Sequence, residues 1–275
     1  MNIHVSGARV PVHEETIRDA LGGSETAKAP GATLYVFPTP ETRVWTELDH
    51  KMGHKTIAYW IGNDVRFAKR YSVGGPAMPT YDLNLVCHQR LLTDLEEIGI
   101  EAKVLPFLAR QTLCAVTLHA EPKVVVYMPT DKGKYRTADC LEIARRCPHV
   151  EFLFYGIKGD PMWLKEKPEN AVAYAWMTPS RATNAIAEAT ILLRWTDHDG
   201  FPQNIIEAKM MGKQVIASYP YEGCIHAKDV EEVISLITDP HTHVKDESAW
   251  PSWYRTTCSP DAFRQQFERL VHGYV

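Results

Sequence analysis

Two carboxylates eight residues apart, Asp199 and Glu207, bracket a Gly-Phe-Pro turn in Ile191–Ser218, ILLRWTDHDGFPQNIIEAKMMGKQVIAS. An apolar run ends at Trp195 and a polar loop follows. Pro202 opens a helix, Gly212 ends it, and a second apolar run begins. In an open α/β sheet, ligands bind beyond the carboxyl ends of strands, where helices start. Unpaired N–H groups and a positive helix end there suit a diphosphate. Asp199 lies in the loop and Glu207 more than a turn into the helix. Two carboxylates at different depths suit a polyhydroxylated ligand, because each accepts paired hydrogen bonds from vicinal hydroxyls. The alternative is a surface acid and a helix acid that meet no ligand.

Other residues invite similar questions. A basic loop follows the apolar run of Lys123–Arg136, KVVVYMPTDKGKYR, and offers Lys132, Lys134 and Arg136 for a leaving phosphate; the alternative is a solvated loop. Gly22-Gly23-Ser24-Glu25 can form a helix C-cap made by glycine. In Tyr59–Val65, YWIGNDV, Asn63 or Asp64 could cap a helix. Asp197-His198-Asp199 spells Asp-x-Asp, a pattern able to hold a metal beside a nucleotide sugar, but it would leave Glu207 unexplained. His241-Thr242-His243 has no ligand-spaced partner and reads as a surface loop.

The elements that must position these residues alternate. Apolar runs at Ile3–Val5, Thr33–Phe37, Thr56–Ile61, Leu83–Cys87 and Ala102–Leu105 form a first set. Lys123–Met128, Glu151–Tyr155, Ala171–Ala175, Thr190–Trp195 and Gln214–Ala217 form a second. Helical stretches such as Gln89–Ile98, Thr137–Cys147, Ala182–Ala189 and Asn204–Met211 lie between them, which predicts parallel sheets with helices on both faces. The rhythm breaks at Leu108–Pro122, read as a linker between two Rossmann-like halves. Arg9–Leu21 reads as a long insert after the first strand. The last segment reads as a helix capped by Ser259 with Pro260 in its first turn. Phe263, Phe267, Leu270, Val271 and Tyr274 form its apolar stripe.

The 275 residues carry 30 Lys and Arg against 34 Asp and Glu, and neither half is basic, which gives no support to a broad nucleic-acid footprint. Six scattered cysteines without a C-x-x-C pair read as free thiols in a reducing compartment. Neither a signal peptide nor a membrane-spanning stretch is visible, so a cytoplasmic protein is the expectation. No hydrophobic or strongly basic surface helix announces a lipid acceptor.

The Asp199–Glu207 segment resembles the acidic-x7-Glu signature of retaining glycosyltransferases, family 4 above all, and MMGKQVIAS resembles the Gly-x-x-Val-Ile-Ala-Ser strand entry that follows it. Lys123–Tyr155 is similar to that family's first donor-domain strand, phosphate loop and helix. The resemblance implies a GT-B fold: two Rossmann-like α/β domains with parallel sheets facing a central cleft. Residues 1–108 would form the acceptor side, joined by helix 259–275 packing back on it, and 120–258 the donor side. It further implies sugar contacts from Asp199, Gly200 and Phe201, ribose contacts from Glu207, and phosphate contacts from Lys132, Lys134 or Arg136 with Gly22 and Gly23. No cofactor or metal is implied, only a nucleotide sugar, UDP- or GDP-linked, as co-substrate. Front-face displacement would let the donor phosphate take the acceptor proton; an inverting relative would need a base among Asp64, His13 and His88. The acceptor stays open among a glycan, a lipid-linked sugar, a protein and a modified DNA base, the last requiring base flipping. Asp in place of the family's usual first Glu shortens its reach. A degenerate binding module without turnover is an alternative, as is a metal-dependent Asp-x-Asp transferase.

Overall fold

The computed structural model describes residues 3–6, 11–22, 31–109, 122–130, 133–239, 249–272 and 274. Gly23, Lys132, Cys114 and His241–His243 lie outside them. The chain divides into two compact units. Unit 1 holds Met1–Arg110, Asp199–Phe201 and Thr256–Val275; unit 2 holds Gln111–His198 and Pro202–Arg255.

Unit 1 begins β1 (Ile3–Ser6), α1 (Pro11–Leu21), β2 (Ala32–Val36), α2 (Arg43–Lys51) and β3 (Lys55–Trp60). It continues α3 (Asn63–Ser72), β4 (Leu83–Val86), α4 (Gln89–Glu96) and β5 (Lys103–Val104). The strands form one parallel sheet in the order β1-β2-β3-β4-β5. Its central strands are buried along nearly their whole length, as parallel strands covered on both faces must be.

The segment read as an insert is a helix. Its apolar positions are too sparse to advertise it, yet Ile17 and Ala20 are buried. Gly22 follows with φ +65° and donates its N–H to the carbonyl of Asp19, so this glycine ends α1 in the left-handed conformation.

Unit 2 contains β6 (Lys123–Tyr127), α5 (Thr137–Arg146), β7 (Glu151–Ile157), β8 (Ala171–Ala175), α6 (Pro179–Ala187) and β9 (Ile191–Arg194). There follow α7 (Gln203–Met210), β10 (Gln214–Ala217), β11 (Ile225–His226), α8 (Val230–Thr238) and α9 (Ala249–Thr257). The sheet is parallel in the order β11-β10-β9-β6-β7-β8. Alternation along its strands splits the core. Val124, Val126, Phe152, Phe154, Ile191 and Leu193 pack with Cys140, Leu141, Ile143 and Ala144 of α5 and with Val233 and Ile237 of α8. Val125, Leu153, Leu192 and Val215 alternate with these and are also buried. The buried Ile205, Ile206 and Ala208 belong to α7, which packs on β9 and β10.

The last helix, α10 (Pro260–Val271), belongs to unit 1. Ser259 Oγ accepts from the N–H of Ala262, which caps it. Phe263, Phe267 and Val271 are buried, and the Phe263 ring lies 5.9 Å from that of Tyr59. Arg264 Nε donates to the carbonyl of Ala20 at 2.6 Å, which fixes α10 against the end of α1.

One surface helix turns its apolar side outward. α2 buries Thr46 and Asp49 and exposes Val44, Trp45, Leu48 and Met52. Asp49 is held inside because its Oδ2 accepts from the Tyr35 hydroxyl at 2.6 Å and its Oδ1 lies 3.3 Å from His54 Nδ1. A polar anchor thus turns the apolar stripe outward, the reverse of ordinary amphipathic patterning. Among the described residues no helix is long and apolar enough to cross a membrane.

Candidate functional site

In unit 2 the strand register assembles a polar row at the carboxyl rim of the sheet. Tyr127 stands opposite Tyr155 across the β6–β7 pair. The β6–β9 pairing runs to Val126 opposite Leu193, so the next residues, Tyr127 and Arg194, stand abreast. The tyrosine rings are 5.2 Å apart. The Arg194 guanidinium lies 5.3 Å from the Tyr127 ring and 5.9 Å from that of Tyr135. A largely buried cation against two ring faces gains roughly 0.5–2 kcal/mol from each.

The inner face of α7 completes this rim. Asn204 and Glu207 are three residues apart, hence on one side of the helix, and both are buried. Asn204 Nδ2 donates to the Tyr155 hydroxyl at 3.3 Å. Its Oδ1 is buried and has no partner among the described residues. Burial pushes the Tyr155 hydroxyl's pKa well up, the Glu207 charge adds to this, and Asn204 and Arg194 oppose it. Thr196, two residues after Arg194, has a second buried oxygen without a partner among the described residues, while Ser218 Oγ binds its backbone at both N–H and carbonyl.

The basic loop is partly committed elsewhere. Arg136 adopts φ +44° at the start of α5. Its guanidinium lies 4.7 Å from the Trp195 ring, 2.9 Å from Asp139 and 3.6 Å from Asp197. Trp195 Nε1 donates to the same Asp139 carboxylate at 3.0 Å, and the N–H of Asp197 donates to the Lys134 carbonyl at 2.8 Å. Two acids therefore offset the Arg136 charge, and Asp197 of the Asp-x-Asp pattern faces this arginine. The Lys134 ammonium lies 5.5 Å from the Tyr135 ring. Among the described residues no three His, Cys, Asp or Glu side chains gather where they could hold a metal ion.

Asp199, Gly200 and Phe201 belong to unit 1. The backbone of Gly200 lies against Ile61 and Gly62. A Cβ at position 200 would stand 2.2 Å from the Ile61 carbonyl oxygen and 2.9 Å from its carbon, so only glycine fits. Phe201 is buried, its ring 5.5 Å from that of His88. His88 caps α4 and its Nδ1 accepts from the N–H of Arg90. Cys87, beside it, is buried, and burial raises its thiol pKa, with the Asp64 charge adding. His13 stands on α1, edge-on to Phe107 at 4.9 Å. Of the two histidines, His88 is thus the one beside the Asp199–Phe201 segment.

Asp64 is wholly buried and faces its own turn. Its carboxylate accepts from the N–H groups of Ile61 (2.9 Å), Gly62 (2.7 Å) and Val65 (3.0 Å). Burial nevertheless outweighs these donors and pushes its pKa up to about 7. Asp64 is therefore not the N-cap of α3, which is Gly62; it stands second in the helix and folds its carboxylate back on the preceding amides, fixing the turn against which Gly200 rests.

No family model and no curated protein matches the chain. Solved structures do. HepE from Anabaena, solved with UDP and glucose, superposes with a TM-score of 0.66 at 11% identity, over 96% of this chain and 82% of that one. Sucrose-phosphate synthase from Thermosynechococcus elongatus gives 0.69 at 11% identity, over 89% and 74%. TarM from S. aureus, solved as a mutant with fondaparinux, α-GlcNAc-glycerol and UDP, gives 0.64 at 9% identity, over 87% of this chain. The chain has the GT-B fold of these glycosyltransferases. It spans only a little over half of TarM, 56% of that chain. Within the GT-B frame, unit 2 carries the rim of Tyr155, Tyr127, Arg194, Asn204 and Glu207. Sequence reasoning found Glu207 there and missed the others. The three-residue spacing of Asn204 and Glu207 was the available signal; the tyrosines and Arg194 meet only through strand register.

Proposed function

We propose that the chain is a glycosyltransferase that moves a sugar from a nucleoside-diphosphate sugar to an acceptor. The observation that carries this reading is the buried Glu207–Asn204 face of α7 beside Tyr155 at the carboxyl rim of the unit 2 sheet. A carboxylate at that depth accepts from a hydroxyl of a ribose, and α/β sheets take their ligands at that rim. HepE, whose fold this chain shares, was solved with UDP and glucose.

In this reading Glu207 holds the ribose of a UDP- or GDP-linked donor. Asp199 and the amides of Gly200 and Phe201 serve the donor sugar, and the close approach of Gly200 to Ile61 sets their backbone. Asp64 positions that turn rather than exchanging a proton with substrate, since its carboxylate is occupied by three amides. His88, packed on Phe201, is the histidine assigned to the sugar's vicinity. Lys134 and the loop around it supply phosphate contacts, with Arg136 bracing Trp195 and Asp197. Transfer proceeds with retention, as in family 4, and without metal, so catalysis rests on positioning and charge stabilisation.

The test is transfer or donor hydrolysis by the purified chain across UDP- and GDP-sugars, with and without EDTA. Turnover that survives EDTA and disappears in Glu207→Gln and Asp199→Asn supports the reading. Full activity in both variants would overturn the site assignment, and loss with EDTA would overturn metal independence.

A further inference from the structure

The inner face of α7 holds a polar atom that no contact among the described residues accounts for. Asn204 is buried, and its Nδ2 is spent on the Tyr155 hydroxyl at 3.3 Å. Its Oδ1, also buried, has no partner among the described residues. A carboxamide oxygen accepts two hydrogen bonds, and leaving one unmet in the interior is costly. Rotating the amide by half a turn would give its oxygen to Tyr155 and leave the nitrogen unmet instead, so one polar atom stays spare in either orientation. Tyr155 is itself anchored, at 3% exposure, by its β7 register and the Tyr127 ring, so the amide cannot swing away without breaking its single bond.

The spare oxygen stands one helical turn from Glu207 on the same face of α7. The geometry points to Asn204 as a second ribose-reading residue, its Oδ1 accepting a hydrogen bond from a ribose hydroxyl of the nucleotide. The inference rests on the reading of Glu207 as the ribose-binding acid and extends it. The carboxylate provides charge, and the neutral amide provides selection for a hydroxyl over hydrogen at one ribose carbon. A buried acceptor left unpaired by a deoxy ligand rejects that ligand more strongly than a solvated one would.

The experiment measures binding of UDP and GDP, and of the 2′-deoxy and 3′-deoxy form of whichever binds, to the wild type and to Asn204→Ala and Asn204→Asp. The wild type is expected to prefer the ribose form over one deoxy form by about three- to tenfold, the reach of one neutral hydrogen bond. Asn204→Ala is expected to lose that preference while binding the deoxy form as before. Asn204→Asp retains the acceptor and a partner for Tyr155, so it should keep the preference even as added charge weakens all three ligands equally. It also secures the test should the alanine variant fold poorly. An alanine variant weakened by the same factor for every ligand would overturn the inference and leave the Glu207 reading intact, whereas a wild type indifferent to both hydroxyls would overturn both. No binding of either nucleotide by the wild type would instead sink the Glu207 reading, and the inference with it.

Discussion

Gly200 and Ile61 meet backbone to backbone: a Cβ on Gly200 would stand 2.2 Å from the Ile61 carbonyl oxygen. The partner surface is itself rigid, because Asp64 binds the N–H groups of Ile61 and Gly62 and thereby fixes their peptides. Gly200→Ala must therefore displace main chain rather than a flexible side chain. The expected loss is about 1–3 kcal/mol of stability, read as a lower melting temperature and denaturant midpoint. Gly133→Ala is the control, since a Cβ there would meet nothing within 4 Å. Equal effects from the two substitutions would refute the close approach.

Asp64 gives unit 1 a pH dependence with a defined sign. Its folded pKa, about 7, lies above that of an unfolded aspartate, near 3.9, so folding favours the protonated form. The stability this lends is fully present below about pH 4 and is lost as pH rises through about 7, at up to roughly 1.4 kcal/mol per pH unit. Asp64→Asn cannot titrate, so its difference from wild type should vary with pH across that window and stay constant above it. Denaturant titrations between pH 4 and 8 decide this. A difference that stays flat through the window would remove the raised pKa.

The outward stripe of α2 makes a prediction about solution behaviour. Trp45→Ser and Leu48→Ser replace exposed side chains, 62% and 43% accessible, so each should alter stability by no more than about 0.5 kcal/mol. Removing a contiguous apolar patch should make the protein less prone to self-association in light scattering. A stability loss of several kcal/mol would mean that these side chains are packed.

Asp199→Asn and Glu207→Gln are expected to lower kcat/KM for transfer by about a hundredfold or more each, the usual cost of removing one positioned charge or donor at a reacting centre. Their circular dichroism and melting should remain close to wild type. A separate base would show as a variant at His88 that lowers kcat with KM unchanged.

The fold was largely legible because a parallel sheet buried on both faces writes its strands as unbroken apolar runs. β8 and β10 fall where the runs lie, and β11, two residues long, is too short to leave such a mark. α1 escaped because few of its positions are buried. α2 escaped because Asp49 and Thr46 face inward, against the usual pattern. In the site, Glu207 was visible by its spacing from Asp199. The partners Tyr155 and Asn204 lie 49 positions apart, and Tyr127 and Arg194 meet only through the pairing of β6 with β9. The sequence offered Asn63 or Asp64 as the cap of α3, but Gly62 takes that position, and the backward bonds of Asp64 to the amides of Ile61 and Gly62 leave no mark in the spacing.

The central claim is that unit 2 holds a nucleoside diphosphate through Glu207. It is tested most directly by thermal stabilisation with UDP, GDP and their sugars, in wild type and in Glu207→Ala. A ligand that binds only the folded state at about a hundred times its Kd adds about 2.7 kcal/mol, a shift of several degrees in a chain of this size. Stabilisation of the wild type by one nucleotide class, lost in Glu207→Ala, is the predicted result. No shift with any of them, or an equal shift in the variant, would contradict it.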